Sequence, residues 1–112
     1  MSKSLNGLSK LRLALKEFFE VLEQTAPASS IRVLLMVADH EGQSMSAYAR
    51  MAGMTTSSMS RALLDLGPRD RNMNRGYGLV RRQIDPKNKQ KSQYFLSDKG
   101  KDVVIKAMKH VG

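Results

Sequence analysis

Residues 45–66, Met-Ser-Ala-Tyr-Ala-Arg-Met-Ala-Gly-Met-Thr-Thr-Ser-Ser-Met-Ser-Arg-Ala-Leu-Leu-Asp-Leu, constrain the fold more than any other stretch of this chain. Met45, Tyr48, Ala49 and Ala52 recur at the period of a helix, and Gly53 breaks that period. From Thr55 a second helix places Met59, Ala62, Leu63 and Leu66 on one face. The small side chain of Ala49 lets the two helices cross closely. Gly53 supplies the positive φ that a sharp turn needs, and Met59 plugs the crossing. In outline the stretch is a helix-turn-helix.

The positive charge sits in and just after this motif. The formal net charge is +9. Between residues 50 and 91 there are 10 basic and 3 acidic side chains, against 9 and 7 in the remainder. A field concentrated in this way favours a polyanion, most simply nucleic acid. With no cysteine, disulfide frameworks, thiolate metal sites and cysteine nucleophiles are excluded. The longest apolar run, 33–38, is far short of a membrane span. Lys10, Arg12, Lys16 and Glu17 interrupt what a signal peptide would need as its apolar region. A mature, soluble, cytoplasmic chain is expected, with no membrane partner, cofactor or metal.

Leu8, Leu11, Leu15, Phe18 and Leu22 lay a continuous apolar seam along a helix expected over 5–24. The seam packs either on its own domain or, in part, on a second subunit, because a basic reader of double-stranded DNA often works as a two-fold dimer. Glu17, Glu20 and Glu23 argue against a membrane-surface helix. Pro27 ends the first helix, and Ser29 or Ser30 is expected to cap the next. Ile31, Leu34, Leu35 and Ala38 form the buried face of that second helix, which should close near Gly42 with His40 as a structural cap.

With Met59 pointing inward, a step of 100° per residue puts Ser57 and Arg61 on the opposite side, flanked by Ser58 and Ser60. Arg can bridge guanine O6 and N7 in a major groove, and serine or threonine can contact bases or phosphates. Thr55 or Thr56 caps the helix and leaves backbone N–H groups near a phosphate. The competing reading is a plain solvated helix face. Gly67-Pro68 stops the helix. Residues 67–78 are expected to form a basic connection from which Arg69, Arg71 and Arg75 reach a DNA backbone, the competing reading being a loop that they only solubilise. Gly76-Tyr77-Gly78 lacks the lysine and helix that follow in a phosphate-cradling loop and reads as a turn.

Two strands, 79–84 and 92–96, flank a turn over 85–91 that carries Lys87, Lys89 and Lys91. In the second strand Tyr94 and Leu96 share the inward face and Phe95 points away. The lysine-rich tip is read as a wing that touches phosphates or a minor groove, against the alternative of a solubilising turn. Ser97 caps a last helix, 97–110, whose packed face is expected to carry Val104, Ala107, Met108 and Val111. His110 is read as a terminal polar residue. The expected architecture is a single domain over 1–112, mainly α with a small β-hairpin (α+β), in the order α-α-α-α-β-β-α.

With that order in place, the sequence resembles a winged helix-turn-helix of the MarR type. The resemblance rests on Ala49, Gly53, Met54, Met59, Ser60 and Arg61, then on Gly78-Leu79-Val80-Arg81-Arg82, Asp85-Pro86 and Leu96-Ser97-Asp98-Lys99-Gly100. It implies a DNA-binding transcriptional regulator whose second motif helix enters the major groove while the wing touches the flanking minor groove. It also implies a homodimer formed by the N- and C-terminal helices. Three departures are visible. The family's wing reads Asp-x-x-Asp-Arg-Arg where this chain has Asp85-Pro86-Lys87-Asn88-Lys89-Gln90, so a minor-groove arginine is missing, and lysine supplies charge without a planar fork. Residues 68–75 look like an insertion. The long C-terminal helix that completes the family's dimer and ligand pocket has no counterpart, so the resemblance does not extend to a small-molecule effector.

The expected function is therefore sequence-specific binding of double-stranded DNA by a small transcriptional regulator, through Thr55, Thr56, Ser57, Ser58, Ser60, Arg61, Arg69, Arg71, Arg75, Lys87, Lys89 and Lys91. The alternatives are a winged-helix protein-interaction module that uses Leu64 and Phe95, or a phage or plasmid DNA-replication or packaging accessory. Paired carboxylates, a histidine beside a nucleophile and metal-ligand spacing are all missing, so an enzyme is not expected.

Overall fold

The computed structural model describes residues 7–22, 27–68 and 76–112. The elements are α1 (Leu8–Val21), α2 (Ala28–Asp39), α3 (Met45–Ala52), α4 (Thr56–Leu66), β1 (Val80–Asp85), β2 (Asn88–Leu96) and α5 (Asp98–Val111). The order is the expected one, mainly helical with one antiparallel hairpin.

The helix-turn-helix forms where its caps dictate. Ser44 Oγ accepts the Ala47 amide at 3.2 Å and starts α3. Gly53, at φ 67°, ends it in the left-handed conformation that only glycine adopts without strain. Thr55 Oγ1 accepts the Ser58 amide at 3.1 Å and starts α4. Between these caps Tyr48, Ala49 and Ala52 of α3 and Met59, Ala62, Leu63 and Leu66 of α4 are buried. Full burial of a side chain such as Met59 or Leu66 contributes roughly 1.5–3 kcal/mol, which outweighs the weak helix propensity of a serine- and threonine-rich segment.

Helix α2 lies under the motif and supplies Ile31, Val33, Leu34 and Val37 to the core. Its start differs from expectation. Pro27 is the N-cap, the helix begins at Ala28, and neither Ser29 nor Ser30 caps it. Ser30 instead turns into the core, in the helix's first turn. The helix also ends earlier than expected, at Asp39 with His40 as C-cap. Gly42 and Gln43 are withdrawn from it because they pair with a strand. The Gly42 N–H donates to the Tyr94 carbonyl at 2.8 Å, and the Tyr94 N–H donates to the Gln43 carbonyl at 3.1 Å.

Strands β1 and β2 pair with Val80 opposite Leu96, Arg82 opposite Tyr94 and Ile84 opposite Ser92. The turn is tighter than the expected 85–91. Asp85 Oδ1 accepts the Lys87 amide at 2.8 Å, Asp85 pairs with Asn88, and β2 therefore starts at Asn88. Pro86 presets φ and Asp85 folds back on the backbone, the two ingredients of a short turn. The register shift between Ile84 and Asp85 takes up the residues that remain on the β2 side.

Helix α5 is capped by Ser97, whose Oγ accepts the Gly100 amide at 3.0 Å and donates to the Gly78 carbonyl at 2.6 Å. Gly100 lies directly on the Leu79 carbonyl, where any Cβ would collide. That contact sets the rotation of α5. The buried positions are Gly100, Val103 and Ala107, while Val104 is half-buried and Met108 and Val111 are exposed, so the expected face is turned by about one residue. Helix α1 packs along α5 through Ala14, Phe18 and Leu22, but Leu8 and Leu11 are 57% and 54% exposed. The seam is thus divided between core and surface. His110 is more than a terminal polar residue, since its Nε2 lies 3.1 Å from Glu17 Oε1 and joins the far end of α5 to α1.

Candidate nucleic-acid interface

The outer face of α4 is hydroxyl-rich and carries one guanidinium. Thr55, Thr56, Ser57, Ser58 and Arg61 are exposed, and Ser60 is half-buried. Thr55 is already committed to the helix start. Its hydroxyl donates to Ser58 Oγ at 3.0 Å while accepting the Ser58 amide, so both hydroxyls orient the first turn. Ser57 and Arg61, one turn apart, remain the outward pair of this face. Ser58 and Arg61 also border a groove of about 300 Å³ shared with Pro27, Ser29 and Asp65, at the start of α2.

Lys87 is exposed at the hairpin tip. For Lys89 and Lys91 only the backbone of β2 is described, and Arg69, Arg71 and Arg75 lie outside the described residues. Both ends of the segment that carries those arginines are fastened. The Gly76 amide donates to the Pro68 carbonyl at 3.0 Å, the Tyr77 amide to Asp65 at 3.1 Å, the Gly78 amide to Gly67 at 2.9 Å and the Leu79 amide to Leu66 at 2.8 Å. The connection thus leaves and rejoins the fold at the C-terminal end of α4, next to the root of β1.

Several residues that position this surface are not among the sequence-expected ones. Arg32 Nη2 donates to the Ala52 carbonyl at 2.5 Å, satisfying a free carbonyl at the end of α3 and holding the motif on α2. A signal existed in the sequence, since Arg32 is the sole charged residue within 28–38. Tyr48, expected only on the packed face of the first motif helix, buries its ring fully and donates its hydroxyl to the His40 carbonyl at 2.5 Å. Burial pushes its phenol pKa up, against a lowering from the hydrogen bond with the Gln43 amide, and the Glu41 carboxylate adds to the rise. Phe95 points away from the core, as expected, yet it is not free. The Arg81 guanidinium sits 4.5 Å from its ring centre, and Gly42 packs on its edge. Arg81 also donates to Gln83 Oε1 at 3.3 Å, so this cation lies along the hairpin surface. Leu64 is 43% exposed beside a groove of about 360 Å³ between the end of α4 and the hairpin, bordered by Arg81, Arg82 and Tyr94.

Among the described residues there is no cluster of histidine and carboxylate side chains that could hold a metal ion, and no helix long and apolar enough to cross a membrane.

No protein-family model matches the sequence, and no curated protein is significantly similar to it. Solved structures do match. The transcriptional repressor CouR bound to a 23-mer DNA duplex aligns over 96% of this chain and 68% of its own, with a TM-score of 0.65 and 24% identity. A mutant MarR from E. coli complexed with operator DNA aligns over 95% and 68%, with a TM-score of 0.66 and 17% identity. The S. aureus MepR–DNA complex aligns over 97% and 82%, with a TM-score of 0.68 and 17% identity. The chain therefore has a winged-helix fold of the MarR type.

Proposed function

We propose that this chain is a non-enzymatic, sequence-specific double-stranded DNA-binding protein that acts as a small transcriptional regulator. The observation that carries the reading is the exposed Thr55–Arg61 face of α4, set beside a hairpin tipped by Lys87; the sequence adds three arginines between the helix and the hairpin. Helix α4 enters the major groove, where Ser57, Ser58, Ser60 and Arg61 approach base edges and Thr55 and Thr56 stand at the helix start near a phosphate. Arg69, Arg71, Arg75, Lys87, Lys89 and Lys91 hold the backbone on either side. Structural neighbours described as bound to DNA support the same orientation by analogy of fold.

The working form is a homodimer through the N- and C-terminal helices, in the cytoplasm. Leu8 and Leu11 on α1 and Ile105, Met108 and Val111 on α5 are exposed apolar side chains on the two helices that would form it, and they support this assembly.

Selection of bound sequences from a random duplex pool at physiological salt tests the reading. A palindromic consensus is expected, with half-sites about one helical turn apart. A pool that emerges unenriched would overturn the regulator assignment.

A further inference from the structure

The hairpin is fastened to the helical body at two places. At the root of β1 the Leu79 amide is held by the Leu66 carbonyl and the Gly78 amide by the Gly67 carbonyl. The second anchor lies near the end of β2, two residues before Leu96, at Tyr94, which exchanges backbone hydrogen bonds with Gly42 and Gln43. The Tyr48 hydroxyl stands at the centre of that second anchor. It donates to the His40 carbonyl at 2.5 Å, receives the Gln43 amide at 3.3 Å and lies 3.3 Å from the Tyr94 carbonyl. Its ring meets the Tyr94 ring edge-on, with centres 6.4 Å apart. Two residues further along β2, Glu41 Oε2 accepts the Leu96 amide at 3.2 Å.

Tyr48 belongs to α3, which packs directly against α4. One buried phenol therefore ties together the end of α2, the first motif helix and the strand that carries the wing. A rigid connection matters because the tip is a lever. Arg82 is paired with Tyr94, and Pro86 follows four residues later, so at about 3.3 Å per residue the tip lies roughly 13 Å beyond the anchor. A change of strand angle at Tyr94 then moves Lys87 by enough to break a phosphate contact, while α4, held by its own core, stays in place.

We propose that Tyr48 is a positioning residue for DNA binding: its hydroxyl, helped by the Glu41 carboxylate, fixes the angle between the recognition helix and the wing so that both engage one duplex. This inference rests on the DNA-binding reading above. An apolar ring alone would fill the same space. What the hydroxyl adds is a directional link among three backbone segments, strengthened by its burial.

The test is a double-mutant cycle of Tyr48→Phe with Lys87→Ala, measured on the selected duplex well below each variant's unfolding temperature. Lys87→Ala should lower the slope of log K against log salt by about one unit, as expected for one lost phosphate contact, and Tyr48→Phe, which displaces the whole tip, by at least as much. The pair should lose no more than Tyr48→Phe alone, and in the variants that carry Tyr48→Phe cleavage protection should vanish at the wing phosphates while persisting around α4. Additive losses with an unchanged footprint for Tyr48→Phe would overturn the inference. If Tyr48→Phe does not fold, Glu41→Ala is run through the same cycle, where non-additivity with Lys87→Ala supports the anchor and additivity overturns it. A parent protein that protects no duplex at all refutes the DNA-binding reading itself, a result separate from additivity.

Discussion

Replacing Gly100 by Ala puts two physical effects in direct opposition. On helix propensity alone, alanine inside the first turn of α5 should stabilise the chain by about 1 kcal/mol. The structure predicts the reverse, because the new methyl would collide with the Leu79 carbonyl and cannot be relieved by a side-chain rotation. The helix must move off the strand root. Two bonds at that junction are then weakened, from the Ser97 amide to Leu79 and from Ser97 Oγ to Gly78, each contributing about 1 kcal/mol. Overpacking of the contact adds about 1–3 kcal/mol. Against the propensity gain, the net expectation is a loss of about 2–4 kcal/mol. At roughly 4 °C per kcal/mol for a chain of this size, the melting temperature should fall by about 8–16 °C. Urea and thermal unfolding followed by far-UV circular dichroism measure it. A Gly100→Ala variant as stable as the parent, or more so, would show that α5 does not rest on Leu79 and that its rotation has another cause.

Gly53 offers the contrasting case, with a φ of 67° and open space around its α-carbon, so Gly53→Ala should lose only about 1–2 kcal/mol by backbone strain, and Gly53→Asn less, in the same unfolding assay. Arg61→Ala should remove about 1–3 kcal/mol of discrimination at one base pair while leaving the salt slope nearly unchanged, read by competition between the selected duplex and single-base variants. Equal binding of all sequences before and after the substitution would remove Arg61 from base reading. The raised pKa of Tyr48 has a definite sign. The neutral phenol is favoured in the fold, so its contribution is complete below the unfolded value near 10 and is lost as pH rises through the folded one. Stability measured from pH 9 to 11 should therefore fall more steeply for the parent than for Tyr48→Phe, and parallel curves would refute a buried, hydrogen-bonded phenol.

The motif and the hairpin were legible because their signals are local. Gly53 between two periodic segments, Thr55 at a helix start, and Ser97 three residues before Gly100 each act within a few residues of themselves. The outward position of Ser57 and Arg61 followed from helical geometry once Met59 was placed inward. Local rules failed where two segments compete for one backbone. Gly42 and Gln43 could have extended α2, yet they pair with Tyr94 at a sequence distance that no local pattern encodes. The wing turn is shorter than the run of lysines suggests, because Asp85 closes it around Pro86 and the residues that follow join β2.

What the chain's own sequence determined is the kind and order of its elements and the concentration of charge beside the motif. Hydrophobic period, caps and turn residues are properties of neighbours along the chain. Tertiary structure alone decided how those elements are turned toward one another. The collision surface at Gly100 selected the buried face of α5, the division of the α1 seam left Leu8 and Leu11 outside, and the Tyr48 hydroxyl joined three segments that the sequence presents as unrelated. Rotation and angle depend on close packing and directional hydrogen bonds between distant residues, and these interactions exist only after the chain has folded.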